Sequence, residues 1–110
     1  MKSEIKDIIE KIKHFRDERD WEQFHDSKNL AISLSIESSE LLEAFLWKST
    51  KDADVEKIKS ELADVFCNAF LLADFYKLDV KEIIIEKIKN NELKYPIEKS
   101  KGSNKKYDEF

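Results

Sequence analysis

Glycine and proline occur once each in these 110 residues, and so does cysteine. A β-sandwich or barrel needs turn residues at short intervals, so a chain this poor in them is expected to form helices with short connections. The lone Cys67 has no partner for an intramolecular disulfide and fits a reducing compartment, so a cytoplasmic location is expected. No apolar run approaches the roughly 20 residues that span a bilayer, and the stretch from Lys2 onward is charged rather than signal-like. No membrane partner is expected. Basic excess is missing too: 24 acidic against 20 basic residues leave a net charge of −4, which argues against a nucleic-acid polymer as partner. There is no Gly-rich phosphate loop and no Ser-His-Asp set, and Cys67 lacks a base for nucleophilic work.

What is present reads as helix. Ser3 is a plausible N-cap for a first helix to about Asp20, with Ile5, Ile8, Ile9, Ile12 and Phe15 at helical spacing. Asp26 or Ser27 caps a second, from about Lys28 to Trp47. Ile32, Ile36 and Leu42 lie off its main apolar arc, so it is apolar on too many sides for one neighbour, which implies a partner subunit. Asp54 caps a third helix to about Lys77, carried by Val55, Ile58, Leu62, Val65, Phe66 and Ala69. Asp79 caps a fourth with Val80, Ile83, Ile84 and Ile88 inward, ended by Tyr95-Pro96. The expected organisation is an all-α, four-helix, oligomeric bundle over residues 1–96. Residues 97–110 form a basic tail that is disordered, or orders only on a ligand or a neighbouring subunit.

Two carboxylate pairs stand out, Glu37-Ser-Ser-Glu40 and Glu61-Leu-Ala-Asp64. On a charged helical protein one such pair usually marks a solvated face. At about 100° per residue, however, Glu37 falls inside the arc of Leu30, Leu34, Leu41, Ala44 and Phe45, with Glu40 at its edge. Glu61 and Asp64 fall beside Ile58, Val65, Leu72, Phe75 and Tyr76. Carboxylates in apolar arcs are costly unless a cation meets them. Consecutive helices usually pack antiparallel, so all four can converge. Oxygen-only ligands suit Mg²⁺, with Mn²⁺ a substitute, whereas zinc recruits His or Cys. A Glu-x-x-His di-iron pattern is missing, since neither His14 nor His25 stands three residues after a glutamate.

Mg²⁺ in such a cage commonly meets substrate phosphates. Lys87, Asn91 and Lys94 form one stripe that can reach phosphate oxygens, although a solvated helix face looks the same. Trp21, Phe24 and Trp47 offer faces for a base, or serve as packing anchors. His14 and His25 are polar contacts or ordinary surface residues.

These residues carry a resemblance. The run Phe15-Arg-Asp-Glu-Arg-Asp-Trp-Glu-Gln-Phe-His25, then Lys28-Asn29-Leu30, Glu37-Ser-Ser-Glu40-Leu and Trp47-Lys48, resembles the MazG-like nucleotide pyrophosphohydrolases, closest to their dCTP pyrophosphatase branch. Glu61-Leu-Ala-Asp64-Val is similar to that family's second metal motif. Lys87-Ile-Lys-Asn-Asn91-Glu-Leu-Lys-Tyr95-Pro96 and Gly102-Ser-Asn-Lys-Lys-Tyr107 are similar to its C-terminal motifs. The resemblance implies hydrolysis of a (deoxy)nucleoside triphosphate to monophosphate and pyrophosphate, with Mg²⁺ held by Glu37, Glu40, Glu61 and Asp64. It implies a base pocket including His14, Trp21 and Trp47, phosphate contacts from Lys87, Asn91 and Tyr95, and a homodimer or a homotetramer built as a dimer of dimers. We assign Glu40 to the attacking water because it lies where water reaches the arc, and Lys94 with Lys87 to the leaving pyrophosphate. Two positions depart from the family pattern. Ser38-Ser39 replaces a small apolar spacer, and Asn68 stands where dCTP-preferring members carry tyrosine, which leaves the base open. The rival reading is a non-catalytic helical module that binds metal or protein.

Overall fold

The structure, a computed structural model, describes residues 4–109. Its five α-helices are α1 (Glu4–Glu18), α2 (Ser27–Glu43), α3 (Val55–Phe75), α4 (Val80–Lys94) and α5 (Ile97–Ser100). Short 3₁₀ turns occupy Glu22–Phe24, Thr50–Asp52 and Tyr107–Glu109, and no strand occurs among the described residues. The chain is therefore all-helical, with one more short helix than expected. The anticipated caps at Asp26, Asp54 and Asp79 are made: their carboxylates accept from the backbone N–H groups of Asn29 (2.7 Å), Glu56 (3.0 Å) and Glu82 (3.0 Å). The expected cap Ser3 lies outside the described residues.

Two compact units form, one ending at Leu78 and one beginning at Asp79. In the first, α2 packs along α3, and α1 packs more lightly on α3. Leu30 (3% exposed) anchors α2, with Ala44 buried just past its end, Leu71 and Ala73 anchor α3, and Ile9 anchors α1. Ile32, Ile36 and Leu42 are exposed, as expected of residues off the arc of α2.

The second helix is shorter than its apolar pattern suggests. From Ala44 the N–H groups reach back three residues, Phe45 to Leu42 at 2.9 Å and Leu46 to Glu43 at 3.3 Å, so the helix unwinds. Trp47 then adopts a left-handed φ of 64°. The apolar spacing runs on through Trp47, and spacing alone does not register the unwinding.

Scarcity of glycine shows at the other helix ends. Both α1 and α3 close in a Schellman motif. Trp21 N–H bonds Arg16 O and Asp20 N–H bonds Asp17 O; Leu78 N–H bonds Ala73 O and Lys77 N–H bonds Asp74 O. The left-handed position is held by Asp20 (φ 54°) in one and Lys77 (φ 58°) in the other. A side chain there costs about 1 kcal/mol that glycine avoids. Lys77→Gly is expected to stabilise the fold by about 0.5–1 kcal/mol in urea titration; an unchanged or lower midpoint would refute the strain.

In the second unit Tyr95 ends α4, its N–H bonding Asn91 O at 2.8 Å, and Pro96 opens α5. Only Val80 of the four residues expected to face inward is buried; Ile83, Ile84 and Ile88 are exposed. The one-turn α5 and the last 3₁₀ turn are too small to cover them. The described part of the tail carries α5 and the last 3₁₀ turn. The Tyr107 ring meets Tyr95 edge-on at 6.1 Å, and Lys94 Nζ lies 4.9 Å from its centroid.

Candidate functional site

Counting from their connection, Glu37 is six residues inside α2 and Glu61 six residues inside α3. Helices joined end to start and packed along their length run in opposite directions, so both glutamates stand at one height, about 9 Å from the connection. Asp64 lies a turn further along. Glu37, Glu61 and Asp64 each offer an oxygen within 4.8 Å of the other two. Glu40, half-buried, adjoins this trio, being among the groups that raise the carboxyls of Glu37 and Glu61. Of the four carboxylates singled out in the sequence, Glu37, Glu61 and Asp64 come together and Glu40 adjoins them.

The electrostatics of this cluster ask for a cation. Burial pushes the Glu37 carboxyl up to about 7, helped by the hydrogen bond and charge of Glu40 and by the charges of Asp64 and Glu61. Glu61 is raised as well, by burial first, then by Glu40 and Asp64, with Lys57 opposing. Glu37 Oε2 and Glu61 Oε2 are buried and accept no hydrogen bond. Orphaned carboxylate oxygens beside a third carboxylate fit a small divalent ion with oxygen preference. The spacer serines do not interfere, since Ser38 and Ser39 donate back to Leu34 O (2.8 Å) and Ser35 O (3.1 Å).

A cavity of about 470 Å³ opens from Asp64. One wall is a single stripe of α3, namely Asp64, Cys67, Asn68 and Leu71. The facing wall is a stripe of α1 comprising Ile8, Lys11, Ile12, Phe15 and Arg16, with Trp21 and His25 from the following loop. Both stripes follow the i, i+3, i+4, i+7 helical rule. Phe15 and Trp21 meet edge-on, centroids 5.8 Å apart, and the Arg19 guanidinium lies over the Phe15 ring at 3.8 Å. Arg16, 9% exposed, ties this corner down: its carbonyl accepts from Arg19 and Trp21, while its Nε donates to Asp17 at 2.8 Å. The resulting ion pair holds the Asp17 carboxyl below its ordinary range.

Of the base-pocket residues expected, Trp21 lines this cavity, and so does Asn68, the position that departs from the family pattern. His14 is exposed, paired with Glu18 at 3.3 Å, and Trp47 is 101% exposed on its loop; neither is among the lining residues. In the second unit Lys87 and Lys94 are exposed, while Asn91 and Tyr95 are half-buried near the end of α4. Sequence reasoning missed the α1 wall, because Ile8, Ile12 and Phe15 share the period of a core stripe. It weighed His25 without committing to it. Burial and the Arg16 charge lower the His25 pKa, so the ring is neutral at physiological pH. Cys67 is half-buried in the cavity wall, its thiol pushed up by burial and by Asp64.

The MazG-like family pattern matches residues 32–110. The chain is 34% identical to dCTP pyrophosphatase 1 of Mus musculus over 96% of its own length and 67% of the relative's. It is 32% identical to dCTP pyrophosphatase 1 of Homo sapiens over the same shares. Among solved structures, a pyrophosphatase from Archaeoglobus fulgidus superposes with a TM-score of 0.77 at 34% identity, covering 87% of this chain and 95% of that one.

Proposed function

The chain belongs to the MazG-like family of nucleotide pyrophosphohydrolases, and on that premise we propose that it cleaves a dCTP-like or modified nucleoside triphosphate, with Mg²⁺, to the monophosphate and pyrophosphate. The observation that carries this reading is the trio Glu37, Glu61 and Asp64, with two unpartnered buried oxygens, whose Asp64 also lines an aromatic-walled cavity. Glu37, Glu61 and Asp64 would hold the ion, with Glu40 adjoining. Bound there, Mg²⁺ supplies charge neutralisation for the triphosphate and lowers the pKa of nearby water. Glu40 accepts a proton from the attacking water. The water oxygen forms the new bond to the α-phosphorus as the bond to the α–β bridging oxygen breaks, and pyrophosphate leaves with that electron pair.

Phe15 and Trp21 give the base its apolar and aromatic surface. Lys87, Asn91, Lys94 and Tyr95 enter the proposal as phosphate-binding groups by their chemistry. His14 and Trp47 enter it as groups that complete the base pocket when a second copy is present. The exposed Ile32, Ile36 and Leu42 fit a homodimer, or a dimer of dimers. The setting proposed is the cytoplasm, with no nucleic-acid polymer and no membrane as partner.

Incubating the protein with each dNTP and Mg²⁺, with products resolved chromatographically and the oligomer weighed by sedimentation, tests this directly. Monophosphate and pyrophosphate are expected from a species larger than one chain. Diphosphate with orthophosphate would refute attack at the α-phosphorus. Absence of turnover on every nucleotide would favour a non-catalytic module.

A further inference from the structure

Asn68 lies on α3 one turn beyond Asp64 and one turn before Leu71, half-buried in the cavity wall. Its Nδ2 donates to the backbone carbonyl of Asp64 at 3.0 Å. A carbonyl only accepts, so that contact fixes the amide: the NH₂ turns back on the helix, and Oδ1 is the end left over. Among the described residues Oδ1 has no protein partner. The other polar groups of the cavity play different parts. Lys11 and Arg16 are donors only, Asp64 belongs to the carboxylate trio, and His25 has a buried Nδ1 without a partner. Ile12, Phe15, Trp21 and Leu71 line the same cavity and offer apolar and aromatic walls suited to a flat ring. An amide oxygen cannot bind phosphate, itself an acceptor, but it can take a hydrogen from an amino group.

We infer that Asn68 is the base-discriminating residue of this cavity, its Oδ1 accepting from an exocyclic amino group, so that the site prefers nucleotides with amino-bearing bases over those with a keto oxygen in that place. The inference rests on the cavity being the nucleotide site. A keto base sets acceptor against acceptor and leaves Oδ1 unpaired in a partly dry wall, so the penalty falls on the wrong base as well as the reward on the right one. The preference comes from one side chain whose direction the helix itself sets.

Comparison of dCTP with dUTP, matched in size and sugar, is the test. The wild-type protein is expected to favour dCTP in kcat/KM by about 10-fold or more. Asn68→Ala is expected to bring the ratio within about 3-fold, chiefly by loss on dCTP. The same loss of selectivity is expected when dCMP and dUMP binding is measured by calorimetry, which reads recognition even if turnover is absent and so separates this inference from the proposed reaction. Equal losses on both nucleotides in Asn68→Ala would mean that Asn68 touches the sugar or merely supports α3, and would overturn the inference. A wild-type ratio near unity in both measurements would overturn it too.

Discussion

Glu37→Gln and Asp64→Asn are each expected to lower kcat/KM for triphosphate cleavage by about 100-fold or more at limiting Mg²⁺, while the cation-free protein becomes more stable rather than less. Ordinarily a change inside a packed helix pair destabilises. Here the wild-type side chains are the strained state, because three carboxylates share a 4.8 Å cluster and two of their oxygens lie buried without partners. Glutamine at 37 keeps the shape, removes one charge and supplies an NH₂ for its neighbours. The same change removes a ligand oxygen and a charge from the group that would hold the ion. Gain of stability without metal and loss of activity with it are thus one physical fact seen from two sides. Full activity of Glu37→Gln at limiting Mg²⁺ would sink the proposed cage. A fall in the cation-free melting temperature would show that Glu37 is held by contacts other than the carboxylates.

The second large effect is the pH dependence of stability. Glu37 binds its proton more tightly in the fold, at about 7 against an ordinary 4.5, and Glu61 is shifted in the same direction. A group raised on folding contributes stability that is fully present below its unfolded pKa and is lost as pH rises through its folded value. For Glu37 that window runs from about 4.5 to about 7. The cation-free protein should therefore melt at a lower temperature at pH 8 than at pH 5.5, and Glu37→Gln should flatten the slope. Magnesium should restore stability most at the higher pH, where the ion no longer competes with protons. An ion that binds only the folded state adds about 2.7 kcal/mol at 100 times its Kd. Differential scanning calorimetry at the two pH values, with and without Mg²⁺, decides this. A slope that is the same in wild type and Glu37→Gln would place the titration elsewhere.

How legible the site was depended on the kind of residue. Glu37 and Asp64 announced themselves, because a carboxylate in an apolar arc contradicts its surroundings and the contradiction is visible in one dimension. Ile8, Ile12 and Phe15 did not, since a residue that lines a cavity and one that fills a core obey the same period of 3.6. Trp47 misled for a related reason: its spacing fits α2, yet backbone bonding has already shifted from four residues back to three. The contacts of Tyr107 with Tyr95 and Lys94 depend on where α4 ends, which no composition records.

The sequence alone determined that the chain is helical, where most helices begin, and that two pairs of carboxylates want a cation. These follow from local propensities, caps and the cost of charge among apolar neighbours, all set within a few residues. Tertiary structure decided which oxygens come within reach of one another and which stripe of the first helix lines a cavity instead of packing directly on α3. Those depend on how separate helices meet, and the distance between two helices is written in neither of them.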